Sequence, residues 1–331
     1  MCKRAVVVGR GCITRYATNI QEYISQWENY QSCKLDFSTY YKNKSVKYTD
    51  KDILEKLPRL SVTCKALMLS VAQAVSEADF MLRNIDKERI GVIVATQDGV
   101  LESQVRYLKL YEKTKATSNI LFQHTANNLL TGLISLKYGY KGYSSVICNG
   151  VSSGWDALMM GEYLIKKDIL DGVIIAACDG VKPYGMETER SDKLQNQAVA
   201  MVLMNQLKIQ ELKKSSLGSI NIHSAYGIHP AQANPNSEQT YLEDVGDYIY
   251  WNQKQGETYS ANMFRKKDFG KKQIELGNFM NQNGCSAALQ CVFLGLLEPM
   301  SKNTIVVNYE SDLQLKIEIR TQEREIKDDK I

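Results

Sequence analysis

Histidine is scarce in this sequence of 331 residues, which limits the chemistry it can perform. Histidine is the usual base or proton donor in acyl-transfer chemistry, and only three are present: His124, His223 and His229. Paired cysteines are missing too, because none of the eight cysteines forms a C-x-x-C pair. We therefore expect a reduced, cytoplasmic protein without disulfides or a zinc site. No apolar run reaches the roughly 18 residues of a membrane helix, and the apolar run after the basic start is too short for a signal peptide.

Signals for nucleotide and nucleic-acid binding are also lacking. The net charge is only +4, with 44% hydrophobic and 24% charged residues, which is typical of a soluble globular protein. There is no P-loop, and the Gly9-x-Gly11 stretch lacks the third glycine of a dinucleotide fingerprint, so we predict a tight strand-to-loop turn there. We expect no cofactor, no metal and no nucleic-acid partner.

Apolar runs with strand and helix periods alternate along the chain, which predicts an α/β layered fold. The predicted strands are Arg4–Val8, Ile90–Ala95, Ser144–Cys148, Gly172–Ala177, Ala198–Met204, Leu217–Ser224, Asp247–Trp251, Thr304–Asn308 and Leu313–Arg320. The predicted helices are Ile20–Tyr30, Ser61–Arg83, Val100–Lys113, Asn127–Tyr138, Ser152–Lys167, Ser237–Asp244 and Cys285–Leu297. Two successive sets of elements favour an internal duplication, with an N-terminal half at residues 1–208 and a shortened C-terminal half at 209–331.

The most informative stretch is ICNGVSSGWDALMMGEYLIKKDILDGVIIAACDG, which predicts a strand, a sharp turn, a long helix and a strand. Its corner reads G-V-S-S-G and loosely fits the nucleophile elbow of serine hydrolases, with Ser152 at the centre. Such an enzyme needs a histidine from a late loop. The later histidines, His223 and His229, lie in or just after a predicted strand, so a serine hydrolase is disfavoured.

Several stretches in the right order resemble the β-ketoacyl synthases of the thiolase fold. The corner resembles their nucleophile region, in which an apolar strand leads into T-A-C-x-S-G, a helix and G-x-x-D-x-x-(I/L/V)-A-G-G. AVVVGRGCIT is similar to the family's opening strand, and ERIGVIVATQDG is similar to its second strand. NNLLTGLISLKYGYKGYSSVICNG is similar to the segment that leads to the nucleophile. SAYGIHPAQANP is similar to the family's D-A-x-H-x-x-x-P loop, and GNFMNQNGCSAALQCVFLGLLE to its last catalytic segment. The resemblance spans most of residues 4–310. It implies a thiolase-like fold of duplicated halves in α-β-α-β-α layers.

The departures from this family fall on its catalytic residues. Matching Ser153 to the family's serine places its cysteine at Val151. Matching D-Y-V-N-A-H-G-T puts Asn252 in place of the first histidine, and counting back from Gly284 puts Asn281 in place of the second. Valine has no lone pair, so no thioester forms there. Asparagine donates a hydrogen bond but does not shuttle protons near neutral pH.

The resemblance therefore implies a catalytically silent member, similar to the chain-length factors that pair with an active ketosynthase and shape its acyl tunnel. G-W-D-A-L is similar to their G-L-D-A-L. The implied pathway is fatty acid or polyketide biosynthesis, including aryl polyenes. The implied partners are an active ketosynthase subunit in a heterodimer, or a second copy in a homodimer, and an acidic acyl carrier protein. Strand Ser144–Cys148 is expected to pair with the partner's strand, and basic residues to attract the carrier protein: Arg106, Lys109, Lys113 and Lys115. Four residues are expected near the partner's pocket, with plain core packing as the alternative: Phe122, His124, Thr125 and Asn128.

Two other functions stay open at this point. One is an active 3-oxoacyl-carrier-protein synthase or acyltransferase with a displaced nucleophile, either Cys148 or Ser152. We predict that Cys148 is buried in its strand, where a thiol has a raised pKa and low reactivity. The other is a non-catalytic acyl-binding scaffold.

Overall fold

The structure is a computed structural model, and it describes residues 4–14, 17–31, 60–180, 197–226, 248–253, 259–264, 274–275, 285–297, 303–308 and 313–321. The helices of eight or more residues are α1 Ile20–Gln31, α2 Val62–Glu77, α4 Leu101–Thr114, α6 Leu129–Tyr138, α7 Ser153–Lys166 and α9 Ser286–Leu297. The shorter α-helices among the described residues are α3 Asp79–Arg83, α5 Asn119–Gln123 and α8 Gln206–Glu211. The strands are β1 Ala5–Ile13, β2 Ile90–Thr96, β3 Ser144–Ile147, β4 Gly172–Asp179, β5 Gln197–Asn205, β6 Gly218–Tyr226, β7 Tyr248–Gln253, β8 Tyr259–Phe264, β9 Ile274–Glu275, β10 Asn303–Asn308 and β11 Leu313–Thr321.

The sheet repeats one pattern on either side of its centre. Its strand order is β3-β2-β4-β5-β1-β6-β11-β10-β7-β8-β9, and β1 pairs antiparallel with β6 at the centre. Moving outward from β1, the pairings are antiparallel to β5, antiparallel to β4 and parallel to β2. Moving outward from β6, they are antiparallel to β11, antiparallel to β10 and parallel to β7. The predicted duplication is therefore present in the topology, and the halves diverge at the next strand, where β3 is parallel and β8 antiparallel.

Two apolar cores lie on opposite faces of the first half of the sheet. The outer core packs α2 and α6 against the sheet. The inner core packs α7 and α9 against the same strands and also takes in β10 and β11 of the second half. Helix α9 thus lies between the two halves, where it contacts α7, β4, β5, β10 and β11. The described residues account for an outer helical layer, the sheet, a central helical layer and the strands of the second half.

Two sequence predictions differ from the structure. Gly9 and Gly11 do not form a turn but lie inside β1. Glycine is needed at both positions because α2 crosses the strand so closely that a β-carbon would overlap the carbonyl oxygen of Ala74 at Gly9 and of Ser70 at Gly11. The single helix predicted over residues 61–83 is broken at Ala78 into α2 and α3. The predicted helix at Ser237–Asp244 lies outside the described residues.

Within the described ranges, the structure contains no helix with the length and apolar character of a membrane span.

Candidate functional site

The candidate site lies where three parallel strands end and two helices begin. Strands β2, β3 and β4 run in parallel and end at Thr96, Ile147 and Asp179, so their carboxyl ends share one edge of the sheet. Helix α7 starts directly above β3, and α9 starts above β4. Ligand sites in α/β sheets form at such carboxyl edges, and helix N-termini add partial positive charge.

The corner between β3 and α7 is a sharp turn that fixes Val151 at the tip of the helix. Gly150 has φ +61°, a left-handed conformation that favours glycine. A short bridge joins Asn149 to Val151 within the turn. The isopropyl group of Val151 is 6% exposed. The tip of the helix therefore presents a buried hydrocarbon with no atom able to attack an acyl group.

Ser153 holds this corner to the neighbouring strand. Its hydroxyl is fully buried and accepts a hydrogen bond from the backbone N–H of Asn149 at 2.6 Å. The hydroxyl lies within donating distance of the carbonyl oxygens of Gly150 and Thr96, at 2.7 and 3.1 Å. The Asn149 side chain donates in turn to Asp156 at 3.0 Å. Ser153 is thus a structural hydroxyl whose bonding capacity is taken up by backbone.

Ser152, one of the two displaced nucleophiles considered, is buried at the start of α7. Its side chain makes no capping hydrogen bond to the helix. In the described part of the chain, no hydrogen bond joins its hydroxyl to a histidine. A serine hydroxyl needs an adjacent base to become a nucleophile.

Cys148, the other displaced nucleophile considered, is exposed, so the prediction that it is buried is wrong. The reason is that β3 ends at Ile147, which leaves the next side chain beyond the last paired residue of an end strand. The thiol donates a hydrogen bond to the carbonyl oxygen of Gln97 at 3.4 Å. Partial desolvation, and then the charge of Asp98, raise the pKa of the Cys148 thiol. The thiolate is therefore rare near neutral pH, which disfavours nucleophilic attack.

Asp179 is an important site residue that the sequence did not single out. It ends β4, is 4% exposed, and its carboxylate caps the first turn of α9. It accepts from the backbone N–H groups of Cys285 and Ser286 at 2.8 and 3.0 Å and from the Ser286 hydroxyl at 2.5 Å. The Cys285 thiol also lies 3.0 Å from this carboxylate. An acidic residue that ends an otherwise apolar strand was the available signal.

A buried polar chain continues from this cap into the inner core. The Gln290 side-chain amide lies 3.5 Å from both the Ser286 hydroxyl and the Gln197 side-chain oxygen. The Tyr23 hydroxyl donates to Gln290 at 3.3 Å. Burial raises the pKa of Tyr23 well above its ordinary value, so this phenol stays protonated and acts as a hydrogen-bond donor. The chain of contacts fixes α9 and α1 to the strand ends.

Helices α7 and α9 are in direct contact at their first turns. A β-carbon at Gly154 would overlap the carbonyl oxygen of Cys285 and lie 2.7 Å from the β-carbon of Ala288. Burial raises the pKa of the Cys285 thiol well above its ordinary value, so this cysteine is an inert core residue. The corner carrying Val151 therefore lies beside the start of α9.

Two positions, Asn252 and Asn281, were matched to the family's catalytic histidines from the sequence. Asn252 lies next to the end of β7, in register with Asn308 of β10 and Ser260 of β8. Asn281 lies outside the described residues. The replacement of two histidines by Asn252 and Asn281 stays a prediction.

The segment predicted to approach a partner lies on an uncovered face. None of the residues of α4 or α5 is buried. Phe122 is 61% exposed and contacts the Tyr107 ring with centroids 5.8 Å apart. The Thr125 hydroxyl donates to the carbonyl oxygen of Phe122 at 2.6 Å, and the Gln104 side chain donates to the carbonyl oxygen of Thr125 at 2.9 Å. His124 is half-buried, and Asn128, just before α6, is exposed. The four predicted residues thus lie within one short segment beside exposed apolar side chains.

Among the described residues, no group of three or more histidine, cysteine or acidic side chains is placed to hold a metal ion.

Comparison with protein families gives a match to the model described as "Beta-ketoacyl synthase, N-terminal domain" over residues 3–179. No curated protein sequence matches the chain.

Solved structures resemble the whole chain at low sequence identity. A type II polyketide ketosynthase in complex with its acyl carrier protein, AntDE:AntF, aligns with a TM-score of 0.66 and 14% identity, covering 97% of this chain and 100% of that one. A β-ketoacyl synthase from Burkholderia phymatum STM815 aligns with a TM-score of 0.63 and 11% identity, covering 97% and 100%. The ishigamide ketosynthase/chain length factor aligns with a TM-score of 0.60 and 12% identity, covering 96% and 99%. At these identities the likeness establishes the fold, and the predicted thiolase-like architecture of duplicated halves is confirmed.

Proposed function

Because this chain belongs to the β-ketoacyl synthase family, we propose that it is a catalytically silent member that acts with an active ketosynthase, as a chain-length factor does. The observation that carries the proposal is the buried valine at the start of α7. The corner combines the strand ends, the left-handed glycine and two converging helices. On the alignment proposed from the sequence, the hydrocarbon of Val151 takes the place of the family's cysteine. Without a nucleophile there is no acyl-enzyme and no condensation at this site.

The edge strand β3 supports a role as one subunit of a dimer. It is the end strand of the described sheet, and its residues are half-buried or exposed. An unpaired strand edge presents N–H and C=O groups that a neighbouring strand can use. We propose that β3 pairs with the equivalent strand of a ketosynthase subunit, so that one sheet continues through both.

The face of α4 and α5 supports a second part of the proposal. Its large apolar side chains are exposed in the single chain: Leu108, Tyr111, Ile120 and Phe122. Exposed apolar patches of this kind mark interaction sites. We propose that Phe122, His124, Thr125 and Asn128 lie against the partner's acyl pocket and limit the length of the chain it holds.

An acyl carrier protein is the expected substrate carrier. Arg106, Lys109, Lys113 and Lys115 lie along and just after α4, and all four are exposed. Basic side chains speed the encounter with an acidic protein. A cytoplasmic location and a pathway to fatty acids or polyketides, including aryl polyenes, belong to the same proposal.

A second candidate is an active synthase that uses Cys148. The exposure of this thiol at the end of β3 favours it, but its raised pKa does not.

The test is reconstitution of condensation from purified parts. The chain, a cysteine-bearing ketosynthase, an acyl carrier protein and malonyl units are combined, and products are identified by mass spectrometry. We expect product only when both subunits are present, and we expect Phe122→Ala in this chain to change product length. Product from this chain alone, abolished by Cys148→Ala, would instead establish the second candidate.

Val151→Cys serves as the matched variant for the silent site. We expect it to remain inactive alone, because Asn252 and Asn281 supply no proton transfer. Recovered condensation would show that the histidine positions are misplaced.

A further inference from the structure

Glu162 of α7 makes a hydrogen bond to the first strand of the second half. The side chain is 4% exposed, and its oxygen Oε1 accepts from the backbone N–H of Ile222 in β6 at 2.9 Å. The described pairing of β1 with β6 ends at Ala5 and Ile220, so this N–H lies beyond the last pair. Glu162 therefore takes the place of a neighbouring strand at the open edge of β6, and it joins α7 of the first half to the second half.

Lys166 balances this buried charge and connects it to the surface. Its Nζ lies 2.7 Å from Oε1 of Glu162 and donates a hydrogen bond to Oδ1 of Asn221 at 2.8 Å. A buried carboxylate is costly when its charged partner is removed or misplaced. The position of the Lys166 ammonium, and with it the contact between Glu162 and β6, thus depends in part on Asn221.

The direction of these hydrogen bonds determines the protonation state of the next residue. An ammonium group only donates, so the carbonyl oxygen of Asn221 faces Lys166 and its NH2 group lies at the other end of the amide. This NH2 group is 2.7 Å from Nε2 of His223. Because NH2 donates, Nε2 must accept, and the His223 ring is neutral with its proton on Nδ1.

Protonation of His223 is incompatible with this arrangement. An imidazolium carries a proton on both nitrogens, so Nε2 becomes a donor that faces the NH2 donor of Asn221. Rotation of the amide gives its oxygen to His223 but turns the NH2 group toward the ammonium of Lys166. One hydrogen bond of the chain is lost in either orientation. His223 is exposed, and a histidine in ordinary surroundings titrates near pH 6.5.

The surrounding charges do not replace the lost hydrogen bond. Lys316 of β11 lies directly opposite His223 in the strand pairing, and Glu318 lies opposite Asn221. Arg320 is 3.9 Å from Glu318. Four of the six charged residues on the elements beside this part of β6 are cations, so they offer an imidazolium no surplus of negative charge. The six are Glu162 and Lys166 of α7, Lys316, Glu318 and Arg320 of β11, and Arg4 just before β1.

We propose that Glu162, Lys166, Asn221 and His223 form a pH-sensitive latch between α7 and β6, which is closed while His223 is neutral and weakened when His223 is protonated. The inference goes beyond the proposed function and does not depend on it, because the latch concerns the joint between the two halves and not the corner at Val151.

The test is amide hydrogen exchange of Ile222, followed by NMR at about pH 8 and about pH 5.5, on the two sides of the histidine titration. After correction for the intrinsic exchange rate, we expect the protection of this amide to be about fivefold lower at the acidic pH, the effect of losing one hydrogen bond. Nitrogen NMR of His223 should show the proton on Nδ1 at the higher pH, because Nε2 is the acceptor.

His223→Gln is the decisive variant, since the position is exposed and the glutamine oxygen accepts from Asn221 at every pH. We expect the protection of Ile222 to be independent of pH in this variant. Lys166→Met removes the ammonium but keeps an apolar side chain, and it should lower the protection at both pH values. The matched control is Lys167→Met, an exposed position next in the chain, which should leave the protection unchanged.

Burial raises the pKa of Glu162, so titration of this carboxyl is the competing explanation. The same pH dependence in His223→Gln as in the wild type would assign the effect to Glu162 and overturn the role of His223. Equal protection at both pH values in the wild type, or a proton on Nε2 at the higher pH, would overturn the latch itself. None of these results depends on binding to a ketosynthase, which the reconstitution measures separately.

Discussion

Gly154 and Gly161 lie two turns apart in α7, and changing each to alanine tests how closely this helix meets its neighbours. At Gly154 the obstacle to a β-carbon is backbone, the carbonyl oxygen of Cys285, with the Ala288 β-carbon at 2.7 Å. At Gly161 the nearest atom is the terminal methyl of Ile175 at 2.5 Å, which can rotate away. The same substitution thus meets a rigid obstacle in one case and a flexible one in the other.

The expected energies follow from two opposing effects. Alanine is favoured over glycine within a helix by about 1 kcal/mol at either position. Overpacking costs about 1 to 3 kcal/mol, and more where backbone must move. We expect Gly161→Ala to change the free energy of unfolding by less than about 1 kcal/mol and Gly154→Ala to lower it by about 2 kcal/mol or more.

The assay is urea unfolding followed by circular dichroism, with the two variants and the wild type at one protein concentration. Equal stabilities of the two variants would refute the close contact between α7 and α9, and with it the placement of Val151 beside the start of α9.

Three further predictions concern titratable and buried polar groups. Asp179→Asn replaces one carboxylate oxygen by an NH2 group, which cannot accept the hydrogen bonds that the Ser286 N–H and hydroxyl donate. We expect it to lower the free energy of unfolding, measured by urea titration, by about 3 kcal/mol. A loss under about 0.5 kcal/mol would contradict the capping role. Burial raises the pKa of Glu162, which also accepts a hydrogen bond from the Ile222 N–H at 2.9 Å. The carboxyl therefore stays protonated to a higher pH in the folded state than in the unfolded state, and the free energy of unfolding falls as pH rises above about 4.5. Glu162→Gln keeps the acceptor and should flatten that decline; an unchanged pH profile in this variant would contradict the prediction. Alkylation of Cys148 by iodoacetamide should reach half its maximal rate above pH 9.0, because the thiol pKa is raised; a midpoint near neutrality would show an activated thiolate.

The sequence was sufficient to predict element types and their order, because hydrophobic period depends on local residues. Strands such as Gly172–Asp179 and helices such as Ser153–Lys166 match the predictions within about two residues. It was also sufficient to place Val151 at a strand-to-helix corner, since Gly150 and the flanking periods indicate the turn.

What the sequence did not predict depends on contacts between distant segments. The glycines of β1 looked like a turn, but their reason is the crossing of α2, some sixty residues away. The cap from Asp179 to Ser286 joins residues separated by 107 positions. The exposure of Cys148 follows from the position of β3 at the end of the sheet, which periodicity alone does not reveal.

The most direct test of the silent site is the intact mass of the purified chain after incubation with an acyl thioester and an acyl carrier protein. The account predicts no stable acyl adduct on the wild type or on Cys148→Ala, and an adduct only on the cysteine of an added ketosynthase. An acyl group attached to this chain, mapped by peptide sequencing to the residues between Cys148 and Ser153, would contradict the central claim.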